Sequence, residues 1–170
     1  MTGKVINFLK FHNPSQGELL FRQVLEEVVK FMRLEPQARY KVMIGSDSNG
    51  NRELDLVSVL AVHRIGHGGR YFWYRMRQGG IYTLRQKIYA EVQASLELAA
   101  LFLPALRQEI KKLVQREDLP FDFEIHVDVG LKGETRDLVR EVTGMVRGMG
   151  YEVMVKPESA AATSFADRHT

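Results

Sequence analysis

Two short apolar segments, each ending close to an aspartate, constrain this sequence most. They span residues 40–48 (YKVMIGSDS) and 123–130 (FEIHVDVG), so that Asp47 and Asp128 hold corresponding positions. Both segments are typical of buried strands, and the crevice outside the strand ends is where open sheets bind ligands. A carboxylate there is costly unless it is paired or bound to a metal. The two aspartates therefore predict a functional site.

The rest of the chain predicts one α/β domain over residues 1–170. With 170 residues, 45% of them hydrophobic, the chain is long enough to bury a full core. Residues 15–18 (SQGE) fit a capping box and predict an N-terminal helix over about 15–35. The further elements expected from periodicity and turn residues are strands at 40–47, 54–65 and 71–78, a long helix from 84 to 113, a strand at 121–129, a helix at 133–149, a strand at 151–155 and a short helix over about 160–167.

Composition narrows the chemistry of any metal site. The chain has no cysteine, which excludes disulfides and thiolate ligands, so a bound metal would need oxygen or imidazole ligands.

The first ten residues lack the apolar stretch of a signal peptide, and no apolar run approaches membrane-spanning length. We therefore expect a cytoplasmic protein without a membrane partner.

A basic and aromatic segment predicts contact with nucleic acid. Residues 56–90 contain no Asp or Glu, although the net charge of the chain is only +3. Arginine and lysine suit phosphates, and aromatic rings suit base faces. The alternative is an edge hairpin that carries positive charge against aggregation. The expected nucleic-acid contacts in and beside this segment are Arg70, Trp73, Arg75, Arg77, Arg85 and Lys87.

Further carboxylates are expected to join the two aspartates. Glu91 shares the helical phase of Ile88 and Ser95, so it projects from the inward side of the long helix toward the sheet. Asp167, in the predicted terminal helix, supplies a fourth carboxylate. Converging carboxylates cannot all stay ionised without a cation, and Mg²⁺ or Mn²⁺ is the hard ion that such oxygens prefer. Two such ions would activate water and stabilise the leaving oxygen of a phosphodiester.

Neighbouring polar residues are expected to support these carboxylates. Ser46 and Ser48 flank Asp47, and His126 lies two residues before Asp128 and on the same face of its strand. His126 is either a hydrogen-bonded core histidine or a support for the metal site. Lys156 either neutralises charge near the end of the last strand or is an ordinary surface lysine.

Four motifs in order resemble the YkuK-type family of predicted ribonuclease H-like nucleases. They are IGSDS at 44–48, the KIxxEV segment at 87–92, HxDxGxxGxT at 126–135, and KPxSxAA at 156–162 through Ala166 and Asp167. The resemblance covers nearly the whole chain. It implies a ribonuclease H-like fold, in which three antiparallel strands and then alternating helices and strands form a mixed five-stranded sheet flanked by helices, and this is also the element order expected above.

The same resemblance implies a metal-dependent nuclease with acidic positions at Asp47, Glu91, Asp128 and Asp167. Two other readings stay open at this point. The chain could be a non-catalytic nucleic-acid-binding module on the same fold, or a small protein that binds a phosphate ligand at the turn of residues 45–50.

Overall fold

The computed structural model describes residues 9–50, 52–113, 119–133 and 135–159. Within these ranges the chain forms seven strands, three α-helices and one 3₁₀ turn. In chain order they are β1 (Lys10–Asn13), β2 (Gly17–Leu20), α1 (Phe21–Arg33), β3 (Tyr40–Asn49), β4 (Arg52–Arg64), β5 (Gly69–Ile81), α2 (Leu84–Leu113), β6 (Phe121–Gly130), the 3₁₀ turn (Arg136–Leu138), α3 (Val139–Gly148) and β7 (Glu152–Lys156).

The strands form one mixed sheet in the order β2-β1-β5-β4-β3-β6-β7. Strands β3, β4 and β5 pair as an antiparallel meander, whereas β6 pairs parallel to β3 and β7 pairs parallel to β6. These five strands are the predicted ones, in the predicted order along the chain. The prediction of a five-stranded sheet was nevertheless incomplete, because β1 and β2 add a hairpin at the β5 edge.

The added hairpin also corrects the predicted N-terminal helix. Residues 15–18 do not cap a helix, since they form the hairpin turn and the start of β2. Asn13 organises this turn: its Oδ1 accepts hydrogen bonds from the backbone N–H groups of Ser15 (3.0 Å) and Gln16 (3.1 Å). The helix begins only at Phe21, where Gln23 accepts a hydrogen bond from the backbone of Leu20 at 2.7 Å.

The three described helices share one core on one face of the sheet. Their apolar side chains pack with alternate residues of the strands, including Val42 and Ile44 of β3, Leu60 of β4, Phe72 of β5 and Ile125 of β6. Side chains alternate along a strand, so the intervening residues point to the opposite face, which we call the rear face. This alternation decides which functional side chains can meet.

Helix α2 is a continuous helix of 30 residues that contains Pro104. A capping box holds its start: Thr83 Oγ1 accepts from the backbone of Gln86, whose side chain accepts from the backbone of Thr83, both at 3.1 Å. Within the described ranges, none of the helices combines the length and the apolar character that crossing a membrane requires.

Two expected elements near the C-terminus differ or cannot be compared. The helix expected from residue 133 begins at Val139, because the 3₁₀ turn Arg136–Leu138 precedes it. The short helix expected over about 160–167, with Asp167, lies outside the described residues.

Candidate active site

Strands β3 and β6 bring Asp47 and Asp128 to equivalent positions. The last pair in their parallel register joins Gly45 to His126, and each aspartate lies two residues further along its strand. Both side chains therefore point to the rear face, on neighbouring strands. The strands continue to Asn49 and Gly130, so each aspartate lies two residues before the strand end and not at it.

Helix α2 supplies a third carboxylate near the same strand ends. Glu91 is buried, with 6% of its surface exposed. The hydroxyl of Ser48 donates a hydrogen bond of 2.7 Å to Glu91 Oε1. Lys87, one helical turn earlier, places its Nζ 4.0 Å from the same oxygen. Ser48 thus supports Glu91, from the helix-facing side of β3.

The surroundings of Glu91 favour its neutral form. Burial is the largest of the effects that raise the pKa of Glu91 from 4.5 to about 7, and the nearby carboxylates of Asp47 and Asp128 act in the same direction. The hydrogen bond from Ser48 and the ammonium of Lys87 act in the opposite direction. Glu91 therefore senses the charge of both aspartates. The three carboxylates are therefore within electrostatic range of one another, although Glu91 contacts β3 from the helix side and the two aspartates point to the rear face.

A lysine from β7 balances part of this negative charge. Lys156 Nζ lies 2.7 Å from Asp128 Oδ1, and both side chains are partly exposed. Of the two roles that the sequence left open for Lys156, the structure shows charge neutralisation.

The donor set fits a hard divalent cation in its chemistry. All three side chains offer carboxylate oxygens, which Mg²⁺ and Mn²⁺ prefer. Two of the three carboxylates already lie beside an ammonium group, Glu91 beside Lys87 and Asp128 beside Lys156, which offsets part of their negative charge. Among the described residues, however, no three acidic or histidine side chains are close enough to form a ready ligand group. Asp167, the fourth expected carboxylate, lies outside those residues.

Ser46 supports the interface between the sheet and α2. Its hydroxyl accepts a hydrogen bond from Ser95 of α2 at 2.9 Å and lies 2.8 Å from the hydroxyl of Ser58 on β4. All three serines are buried. Ser46 thus ties α2 to the sheet one turn away from Glu91.

His126 is a buried, hydrogen-bonded histidine, which is one of the two roles expected for it, and its partner Glu124 was not predicted. Its Nδ1–H donates to the carbonyl of Ser159 at 3.0 Å, and its Nε2 lies 3.1 Å from Glu124 Oε2. The other oxygen of Glu124 lies 2.7 Å from Lys41 Nζ. Alternation in β6 could have revealed Glu124, because the polar residues Asp122, Glu124, His126 and Asp128 alternate with apolar ones and so share one face of the strand.

Three of the expected nucleic-acid contacts lie on the rear face with the aspartates. They are Trp73, Arg75 and Arg77, which alternate along β5. Asp47 pairs with Val57, and Val57 pairs with Arg75, so Arg75 lies about 10 Å from Asp47 across two strand spacings. Arg75 also forms an ion pair of 3.1 Å with Asp55. Trp73 stacks on His12 of β1, with ring centres 4.5 Å apart.

The other three expected contacts point elsewhere. The Arg70 guanidinium lies 5.2 Å from the centre of the Phe31 ring, on the helix side of the sheet. Arg85 forms an ion pair with Glu141 of α3. Lys87 faces Glu91, as described above. The basic segment is therefore divided between two faces and does not form one continuous surface.

The antiparallel meander followed by parallel strands, with an aspartate two residues before the end of each of the neighbouring strands β3 and β6, is typical of a ribonuclease H-like protein. The family model described as Ribonuclease H-like matches residues 23–170, and the chain belongs to this family. It is similar to the uncharacterized protein YkuK of Bacillus subtilis (strain 168), with 34% identity over 168 residues that cover 94% of this chain and 96% of YkuK. No solved structure matches the chain significantly. The family resemblance drawn from the motifs is confirmed, and it points to a function related to nucleic acid.

Proposed function

We propose that the chain is a metal-dependent nuclease that hydrolyses phosphodiester bonds in nucleic acid. The observation that carries the proposal is the coupling of buried Glu91 to Asp47 and Asp128, at the neighbouring ends of β3 and β6. A buried carboxylate whose pKa is raised by neighbouring carboxylates is stabilised in its ionised form when a cation binds beside it. The family supports nucleic acid as the substrate class.

Each side chain has a proposed role. Asp47 and Asp128 would hold Mg²⁺ or Mn²⁺ from the rear face, Glu91 would contribute an oxygen from α2, and Asp167 would complete a second position. When bound, the ions supply an activated water and stabilise the leaving oxygen. Ser48 fixes Glu91 Oε1 by its hydrogen bond, so the carboxylate keeps one orientation.

Substrate binding is assigned to the basic side chains of β5. Arg75 and Arg77 extend from the rear face and are exposed, so they can contact phosphates of a strand that passes over Asp47. Phosphate contacts position a substrate without reading its sequence. Cleavage and binding therefore depend on different residues and should separate on mutation.

The test compares hydrolysis and binding in the same variants. Asp47→Asn should lower metal-dependent hydrolysis of labelled oligonucleotides by orders of magnitude, while affinity stays equal or rises because a negative charge near the phosphates is gone. Glu91→Gln should behave similarly. Glu97→Gln is the matched control, because Glu97 lies on the same helix and bonds to Gln93 instead of the site. Wild-type hydrolysis by purified Asp47→Asn would refute the assignment.

A non-catalytic nucleic-acid-binding module is the second candidate. The ion pair between Lys156 and Asp128 favours it, because an ammonium group already neutralises one of the proposed metal ligands. Such a module would bind the same oligonucleotides and show no hydrolysis with Mg²⁺ or Mn²⁺. The experiment above separates the two candidates.

A further inference from the structure

The rear face contains a cavity of about 690 Å³ that the proposed chemistry does not use. Met43, Ala61 and Tyr71 form its apolar floor, and they are direct neighbours across β3, β4 and β5. Met154 of β7 forms part of its side. Cavities of roughly 300–1,000 Å³ with apolar walls and a few fixed polar groups are typical small-molecule sites.

The polar wall of the cavity is the buried group around Glu124. Glu124 and His126 are 4% and 3% exposed, and contacts to Lys41 and to the carbonyl of Ser159 hold them in place. The Lys41 side chain is 31% exposed. Because an ammonium group has three donors, Lys41 can contact Glu124 and still donate to a ligand.

The charge of this wall favours a neutral ligand over a free anion. Lys41 and Glu124 neutralise one another at 2.7 Å, so the wall offers hydrogen bonds without a strong excess of either charge. The ring of Tyr71 and the polarisable sulfur of Met43 lie in the floor, where they can pack against a flat ligand. A planar heterocycle with polar edges matches both features, since it stacks on aromatic rings and bonds at its edge.

The cavity also lies beside the candidate active site. His126 is two residues from Asp128 on β6, which corresponds to about 7 Å, and Met43 is four residues from Asp47 on β3, about 13 Å. All four point to the rear face. A nucleic-acid strand held at the two aspartates would therefore pass the cavity within one or two nucleotides.

From this juxtaposition we infer that the cavity receives the base of an unpaired nucleotide next to the cleaved bond. The inference rests on the proposed nuclease function and narrows its substrate. A base inside a duplex is stacked and paired, and reaches a pocket only when it leaves the stack. The preferred substrate is therefore single-stranded nucleic acid or an unpaired end.

Binding of single nucleotides tests the cavity without any cleavage. Isothermal titration calorimetry in EDTA, with each of the four ribonucleoside 5′-monophosphates, should show binding to wild type, whereas ribose 5-phosphate, which lacks a base, should not bind. Ala61→Leu places a larger side chain on the cavity floor and should weaken the tightest monophosphate by about tenfold or more, the loss expected for one base stack. Ala100→Leu, at an exposed position of α2, is the matched control and should bind as wild type does.

Hydrolysis of a labelled oligonucleotide, single-stranded or in a duplex of the same sequence, completes the test. Wild type with Mn²⁺ should prefer the single strand, and Ala61→Leu should raise its KM for that strand more than for the duplex. If the monophosphates bind and Ala61→Leu weakens this binding, the cavity assignment is supported even if wild type shows no hydrolysis. Absence of hydrolysis would overturn only the proposed nuclease function. The inference that the cavity binds a base would be overturned if none of the four monophosphates binds, if ribose 5-phosphate binds equally well, or if Ala61→Leu binds as wild type does. This holds even if hydrolysis depends on Asp47.

Discussion

Glu91 should make the protein less stable as the pH rises through neutrality. Its pKa is 4.5 in an unfolded chain and about 7 in the folded protein. Between these values the folded state holds a proton that the unfolded state has lost, so the free energy of unfolding falls as pH increases. The penalty is absent below pH 4.5 and complete above about pH 7. Glu91→Gln cannot ionise and should remove this part of the pH dependence.

The size of the effect follows from the pKa difference. The interval from 4.5 to about 7 corresponds to about 3 kcal/mol at 1.36 kcal/mol for each unit. A glutamine retains the carbonyl oxygen that accepts the Ser48 hydrogen bond, so the variant and the protonated wild type should be similarly stable near pH 4.5. By pH 8, Glu91→Gln should be more stable than wild type by about 3 kcal/mol.

Urea denaturation in EDTA, at intervals from pH 4.5 to 8, measures this difference. Other titrating groups contribute equally to wild type and variant, so the difference between the two curves isolates Glu91. Glu97→Gln removes a carboxylate from the same helix outside the site and should follow the wild-type curve. Parallel curves for wild type and Glu91→Gln would show that burial and the two aspartates do not hold a proton on Glu91.

Three shorter predictions test the metal, the basic surface and the added hairpin. Millimolar Mn²⁺ should raise the melting temperature by mass action, and Asp128→Asn should reduce this shift in a thermal-shift assay. Arg77→Ala should lower the slope of log affinity against log salt by about one in fluorescence anisotropy, and Arg75→Ala should lower it less because Arg75 already pairs with Asp55. Asn13→Ala should lower the urea-derived stability by about 2 kcal/mol, because it removes two turn hydrogen bonds and one to the Tyr71 carbonyl.

The core of the fold could be predicted because its elements are long and strongly patterned. Strands β3, β4 and β5 have 10 to 13 residues each, and α2 has 30. Over such lengths the period of the apolar residues distinguishes a strand from a helix clearly. The hairpin of β1 and β2 could not be found in the same way, because each strand has only four residues. The capping-box pattern at residues 15–18 then gave the wrong start for α1, since serine and glycine, here Ser15 and Gly17, also suit turns.

The positions of Asp47, Glu91 and Asp128 in the fold could be predicted from local patterns, but the faces on which the basic side chains lie could not. Helical phase correctly placed Glu91 against the sheet, and strand position correctly brought Asp47 beside Asp128. The division of the basic residues between two faces depends on contacts with distant elements. Arg70 contacts the ring of Phe31 in α1, and Arg85 pairs with Glu141 in α3. No local pattern in residues 56–90 predicts these contacts.

A bound cation would account for the buried position of Glu91. A carboxyl group at 6% exposure near two other carboxylates destabilises the folded protein at neutral pH, whereas glutamine would fit the same hydrogen bond without this cost. Lys87 and Lys156 offset part of the charge, but the pKa of Glu91 remains near 7 despite Lys87. A divalent cation would remove the rest of the penalty and so stabilise the ionised form. The stabilisation by Mn²⁺ should therefore be larger at pH 8 than at pH 5.5, and an equal effect at both values would place the ion away from Glu91.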